Sequence, residues 1–93
     1  MHEQRDASNQ LTFAFDKIRM DQYSKVTRKV TQEFGLAACS DKIRGLDETF
    51  QDFGRGSAVI ALEWDNWSGF IVCAKNKESE SLARQVAEYV QNL

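Results

Sequence analysis

Residues 58–75, AVIALEWDNWSGFIVCAK, constrain the fold of this chain more than any other stretch. Two runs rich in β-branched and aromatic residues flank the polar segment Asp65-Asn66-Trp67-Ser68-Gly69. Asn66 and Gly69 tolerate the positive φ of a tight reversal, so the stretch reads as a β-hairpin with a loop of roughly three to five residues. Along its strands Ile60, Leu62 and Trp64 share one face, and Val59, Ala61 and Glu63 the other. Phe70, Val72 and Ala74 alternate in the same way with Ile71, Cys73 and Lys75. Two faces this apolar predict a central place in a sheet, with the second face covered by helix or by a partner chain.

The remaining elements follow from periodicity. Residues 1–10, MHEQRDASNQ, are polar and are expected to form a flexible start, leaving 11–93 as a single domain. Leu11, Phe13 and Phe15 alternate with Thr12, Ala14 and Asp16, which predicts a strand reaching about Ile18. Asp21 is placed to cap a helix whose apolar stripe is Tyr23, Val26, Val30, Phe34 and Ala37, with Gly35 as its stop. Leu36–Cys39 reads as a short strand, and Asp41–Leu46 as a turn or one helical turn. From Glu48, Thr49, Gln51 and Phe53 alternate with Phe50 and Asp52 in another strand, after which Gly54-Arg55-Gly56-Ser57 turns the chain. That turn has neither the lysine nor the following helix of a phosphate-binding loop. Asn76 or Ser79 caps a last helix with the stripe Leu82, Val86, Tyr89, Val90 and Leu93, on whose outer face Arg84 and Glu88 are spaced to pair. The order β-α-(β)-β-β-β-α predicts an α+β fold: a two-layer sandwich of a mainly antiparallel sheet with two helices on one face.

Charge and composition narrow the functions. Residues 1–46 carry eight Lys/Arg and six Asp/Glu, whereas 47–93 carry four and eight. Most of that deficit falls in 47–65, where Asp47, Glu48, Asp52, Glu63 and Asp65 face only Arg55. A basic stripe, the usual footprint of a nucleic-acid binder, is missing, and Lys25, Arg28 and Lys29 read as a solvated helix face. Cys39 and Cys73 have no metal or redox spacing and read as two reduced, small apolar residues. No run approaches the roughly 20 apolar residues of a membrane span, and the N-terminus lacks the pattern of a secretory signal, so a cytoplasmic location is expected.

Candidate chemistry is sparse. His2, the only histidine, cannot build a catalytic pair or a metal site alone, and Ser68 has no nucleophile-elbow pattern around it. Neither a metal nor a cofactor is expected. Glu63 and Asp65 lie two residues apart on one strand face; they read as an acidic rim pairing with Arg44, Arg55 or a lysine. Acid–base catalysis would require a cleft, such as one lined by Glu63, Asp52 and Tyr23. Trp64 is in phase with the core, whereas Trp67 sits in the loop. There it either folds back over the sheet edge or serves as an interaction anchor, because tryptophan offers large apolar area at low entropic cost. The candidate binding residues are therefore Trp67, Asp65, Glu63 and Asp52.

Two resemblances bear on this reading. The block LEWDNWSGF resembles the signature of a small, uncharacterised, mainly proteobacterial family of about this length, over residues 45–93. That likeness rests on WDNWSG and implies no activity, so no residue role comes with it. The order α-β-β-β-α over residues 21–93 is similar to the double-stranded RNA-binding domain, which grips phosphates with lysines at the start of its last helix. Here that position reads Asn76-Lys77-Glu78-Ser79-Glu80, with Lys75 before it, so two glutamates stand where cations are wanted. The expectation is a non-catalytic cytoplasmic protein–protein interaction domain that binds a basic surface through an acidic-aromatic hairpin tip. A homodimer formed through a sheet edge is also expected. A nucleic-acid module and a small enzyme with an unrecognised site are the alternatives.

Overall fold

The central hairpin forms as its alternation demands. A computed structural model describes the whole chain, Met1–Leu93. Its strands are β1 (His2–Arg5), β2 (Leu11–Phe15), β3 (Ala37–Ala38), β4 (Ile43–Arg44), β5 (Glu48–Arg55), β6 (Ala58–Asp65) and β7 (Gly69–Ala74). Its helices are α1 (Tyr23–Phe34) and α2 (Glu80–Gln91), each entered through a short 3-10 turn. The sheet runs β1-β2-β7-β6-β5-β3, with β4 also paired to β5, and every pairing is antiparallel. Both helices cover one face, giving the two-layer α+β sandwich that the element order predicts.

One face of each central strand meets the helices. Phe13 and Phe15 of β2, Ile60, Leu62 and Trp64 of β6, and Phe70 and Val72 of β7 join Tyr23, Val26 and Val30 of α1 and Leu82, Val86 and Val90 of α2 in one core. Val30, Ile60, Leu62, Phe70, Val72 and Val86 lose all exposure, and burial of each contributes about 1.5–3 kcal/mol. The three ion pairs of the chain all lie at the surface, where water screens them, so packing decides the fold. The two large polar side chains of the core are answered: Tyr23 donates its hydroxyl proton to the Leu62 carbonyl, and Trp64 Nε1 donates to the Ile18 carbonyl at 2.8 Å, while the Thr27 hydroxyl oxygen is left without a partner.

Several details depart from the sequence reading. The polar start is not a loose tail: His2–Arg5 pairs with β2, Glu3 opposite Phe13 and Arg5 opposite Leu11. Backbone pairing does not require apolar side chains, and those of β1 reach α2 as ions. Arg5 forms a two-pronged bond to Glu80 at 2.7 and 3.1 Å, and Arg84 pairs with Glu3 rather than with Glu88. Asp21 does not cap α1; its carboxylate lies 3.4 Å from Arg19, and the side chain of Gln22 accepts the Arg19 N–H instead. Gly35 ends α1 in the left-handed conformation (φ 64°), which places Ala37 in β3, outside the helical stripe. The segment read as a turn, Asp41–Leu46, contains β4, whose Ile43 lies opposite Phe50. Gly54 and Arg55 belong to β5, so only Gly56 and Ser57 turn the chain.

Candidate interaction surface

The second face of the sheet, apolar in sequence, is covered by no helix; only side chains and the segment around Gln10 shield its centre. It carries Thr12 and Ala14 of β2, Phe50 and Asp52 of β5, Val59, Ala61 and Glu63 of β6, and Ile71 and Cys73 of β7, followed by Lys75. Shallow hollows lie across it. One of about 200 Å³ is lined by Gln4, Thr12, Glu63, Ile71, Cys73 and Lys75 among others. A second, of about 550 Å³, runs over Ile43, Phe50, Asp52 and Glu63. A third, of about 410 Å³, lies between His2, Gln4, Ala14 and the loop residues Trp67 and Ser68. Glu63 and Lys75 line both of the first two. The small centre of this face is nonetheless shielded, with Ala61 and Cys73 at 1% and 3% exposure. Gln10 folds over Cys73, its amide donating to the Lys75 carbonyl at 3.1 Å and its oxygen 3.6 Å from the thiol. Burial pushes the Cys73 thiol up to about 11, so it stays protonated and unreactive at neutral pH.

Each residue singled out in the sequence has a distinct place. Trp67 occupies the three-residue loop between β6 and β7 and is 81% exposed, so it does not fold back to cap the core. Asp65 is a turn residue: its Oδ1 accepts the backbone N–H of Trp67 at 2.9 Å and of Ser68 at 2.6 Å. That bonding fixes the loop which presents Trp67. Glu63 stands mid-face between Phe50 on β5 and Ile71 on β7. Its burial there raises the carboxyl above the usual range; Lys75 opposes the shift, and Asp52, Asp65 and Asp6 add to it. Asp52, opposite Ala61, lines the same hollow as Glu63. The acidic rim does not pair as anticipated. None of Glu63, Asp65 and Asp52 forms an ion pair, and Arg55 instead donates to the Phe34 carbonyl at 3.0 Å.

No family model, no curated protein and no solved structure matches the chain.

Glu63, Asp52 and Tyr23 do not line one cleft. Tyr23 reaches Leu62 from the helix side, and adjacent strand residues point to opposite faces, so Glu63 and Tyr23 are separated by the sheet. The carboxylates on the open-face hollows are Asp6, Asp16, Asp41, Glu48, Asp52 and Glu63, against one lysine, Lys75. None of the six is in an ion pair. Sequence reasoning missed the share of this face supplied by His2, Gln4, Asp6 and Gln10. HEQR carries no apolar alternation, so nothing in the sequence signals that share.

Proposed function

We propose that the chain is a non-catalytic protein–protein interaction domain that receives a lysine- or arginine-bearing segment of a partner on the open face of its sheet. The observation that carries this reading is the excess of unpaired carboxylates over one lysine along hollows ending at Trp67. Such a surface attracts cations at long range, and partly desolvated carboxylates such as Glu63 reward a cation that reaches them. Trp67, held outward by the Asp65 turn, supplies the apolar anchor and a ring face for a cationic head. The proposed setting is the cytoplasm; the chain has no helix long and apolar enough to cross a membrane.

The nucleic-acid alternative requires Lys25, Arg28, Lys29, Lys75 and Lys77 to converge. Lys25 and Lys29 line a hollow beside Val90 and Leu93, at the far end of α2 from Lys77, while Lys75 lies on the open face. That separation weighs against an RNA grip. A homodimer joined edge to edge would find β1 on one side and only the two-residue strands β3 and β4 on the other, because the 37–44 segment covers β5. Ala37, Ala38, Ile43 and Arg44 pair with that strand, and Ser40 Oγ accepts the Asp52 N–H at 3.0 Å.

The test is capture from lysate of the native host by the tagged protein, with nuclease, compared with Trp67→Ala and with Asp52→Lys/Glu63→Lys. The expected result is a nuclease-resistant protein partner whose affinity falls at least about tenfold with either variant. Trp67→Ala itself should change folding stability by less than about 0.5 kcal/mol. Recovery of RNA that nuclease abolishes, or a partner indifferent to both variants, overturns the reading.

A further inference from the structure

A second concave site lies away from the open face and has the opposite charge. Where β2 leads into α1, beside the C-terminal end of α2, a hollow of about 510 Å³ is lined by 12 residues. Met1, Ile18 and Leu93 supply its accessible apolar lining over the nearly buried Phe15, Val26 and Val90, and Lys17, Lys25 and Lys29 its cations, against one side-chain carboxylate, Asp16. Lys25 and Lys29 are four residues apart on α1, hence neighbours on one side of the helix. None of the three lysines takes part in an ion pair; the chain's three pairs are Arg5–Glu80, Arg19–Asp21 and Arg84–Glu3. Three unpaired ammonium groups beside buried aliphatic and aromatic carbon complement an anion that carries an apolar tail.

The open-face hollows share Gln4, Glu63, Ser68 and Lys75 and run into one extended surface, whereas this hollow has the dimensions of a single small-ligand site. Its volume lies within the range of roughly 300–1,000 Å³ typical of small-molecule sites. Its lining falls short of the roughly 20–30 residues that each side of a stable protein interface supplies. We propose that this hollow binds a single-chain carboxylate amphiphile as a monomer. The carboxylate lies between Lys25 and Lys29, and the tail lies against Met1, Ile18 and Leu93.

The molecule carries its own reporter. The indole of Trp64 donates to the carbonyl of Ile18, a lining residue, so a ligand that moves Ile18 alters Trp64 emission. In the Trp67→Phe protein, where Trp64 is the sole tryptophan, laurate titrated below its micellar range should give a saturable, one-site change. Dodecyltrimethylammonium, with a tail one carbon longer and the opposite head charge, should give none. Lys25→Glu/Lys29→Glu should weaken laurate binding at least tenfold with an unchanged melting temperature. If that pair of substitutions also lowers the melting temperature, Lys29→Gln is read in its place and should still weaken binding several-fold. The proposal is overturned by the absence of saturation, by equal binding of the cationic amphiphile, by charge-reversed protein that binds as well, or by association with anionic vesicles but not with monomeric laurate.

Discussion

Gly69 shows how much a single position decides. Its φ is +74°, and a Cβ there would lie 2.2 Å from the Phe15 carbonyl oxygen and 2.8 Å from the Asp16 Cα. The hairpin tip thus presses its backbone against the end of β2, and only a residue without a side chain allows it. Gly69→Ala should cost about 2–4 kcal/mol in chemical denaturation, the sum of backbone strain and a backbone clash. Gly56 has a similar φ of +60° but open space around it, so Gly56→Ala should cost only about 1–2 kcal/mol. The gap between the two isolates the steric part. In sequence, Gly69 is readable as a turn residue; its contact with Phe15 is not, because that depends on which strand becomes the neighbour of β7. The same holds for Trp67 and Asp65. Their loop position is legible from residue type; that the ring turns outward and that Asp65 accepts two loop N–H groups are not.

At the scale of elements, Asn76 joins three of them. Its Oδ1 accepts the N–H of Ser79 at 3.1 Å to begin the turn into α2, and the N–H of Val59 at 3.3 Å. Its Nδ2 donates to the Ser57 carbonyl at 2.7 Å, tying the β5–β6 turn to the helix start. Asn76→Ala should therefore lower stability by about 2 kcal/mol, the upper part of the range for a lost helix cap. Asn76→Asp, which keeps the acceptor but loses the donor, should fall between it and the native chain in the same denaturation experiment. The helices, β5 and the β6–β7 hairpin were legible because each has a period of its own. β1 and β4 were not: HEQR and the short pair Ile43–Arg44 carry no apolar alternation, and they exist through backbone bonds to a neighbour that sequence does not name. For the candidate site, β6 and β7 could be read as two-faced. Which face stays open is settled by where α1 and α2 pack, which is a property of the assembled sheet.

For the molecule as a whole, charge is divided between an acidic open face and a lysine-rimmed hollow, and two carboxyls give stability opposite pH slopes. Glu63, raised by burial, binds its proton more tightly folded than unfolded, so its contribution is present below the ordinary carboxyl value of 4.5 and is lost as pH climbs past it. Glu80, held low by the Arg5 hydrogen bond, contributes above 4.5 and loses that contribution as the solution is acidified through its lowered value. Glu63→Gln should therefore become more stable relative to the native chain as pH rises from 4 to 7, in paired thermal melts, while the Glu80-dependent acid loss persists in both. Sheet order also bears on how the protein is made. Phe15 must find Phe70 as its partner across the sheet, so at roughly 5–20 residues per second of translation β2 remains unpaired with β7 for several seconds. β2 thus leaves the ribosome well before the strand it needs, and this part of the nascent chain is most exposed to proteases and wrong neighbours until β7 has been synthesised.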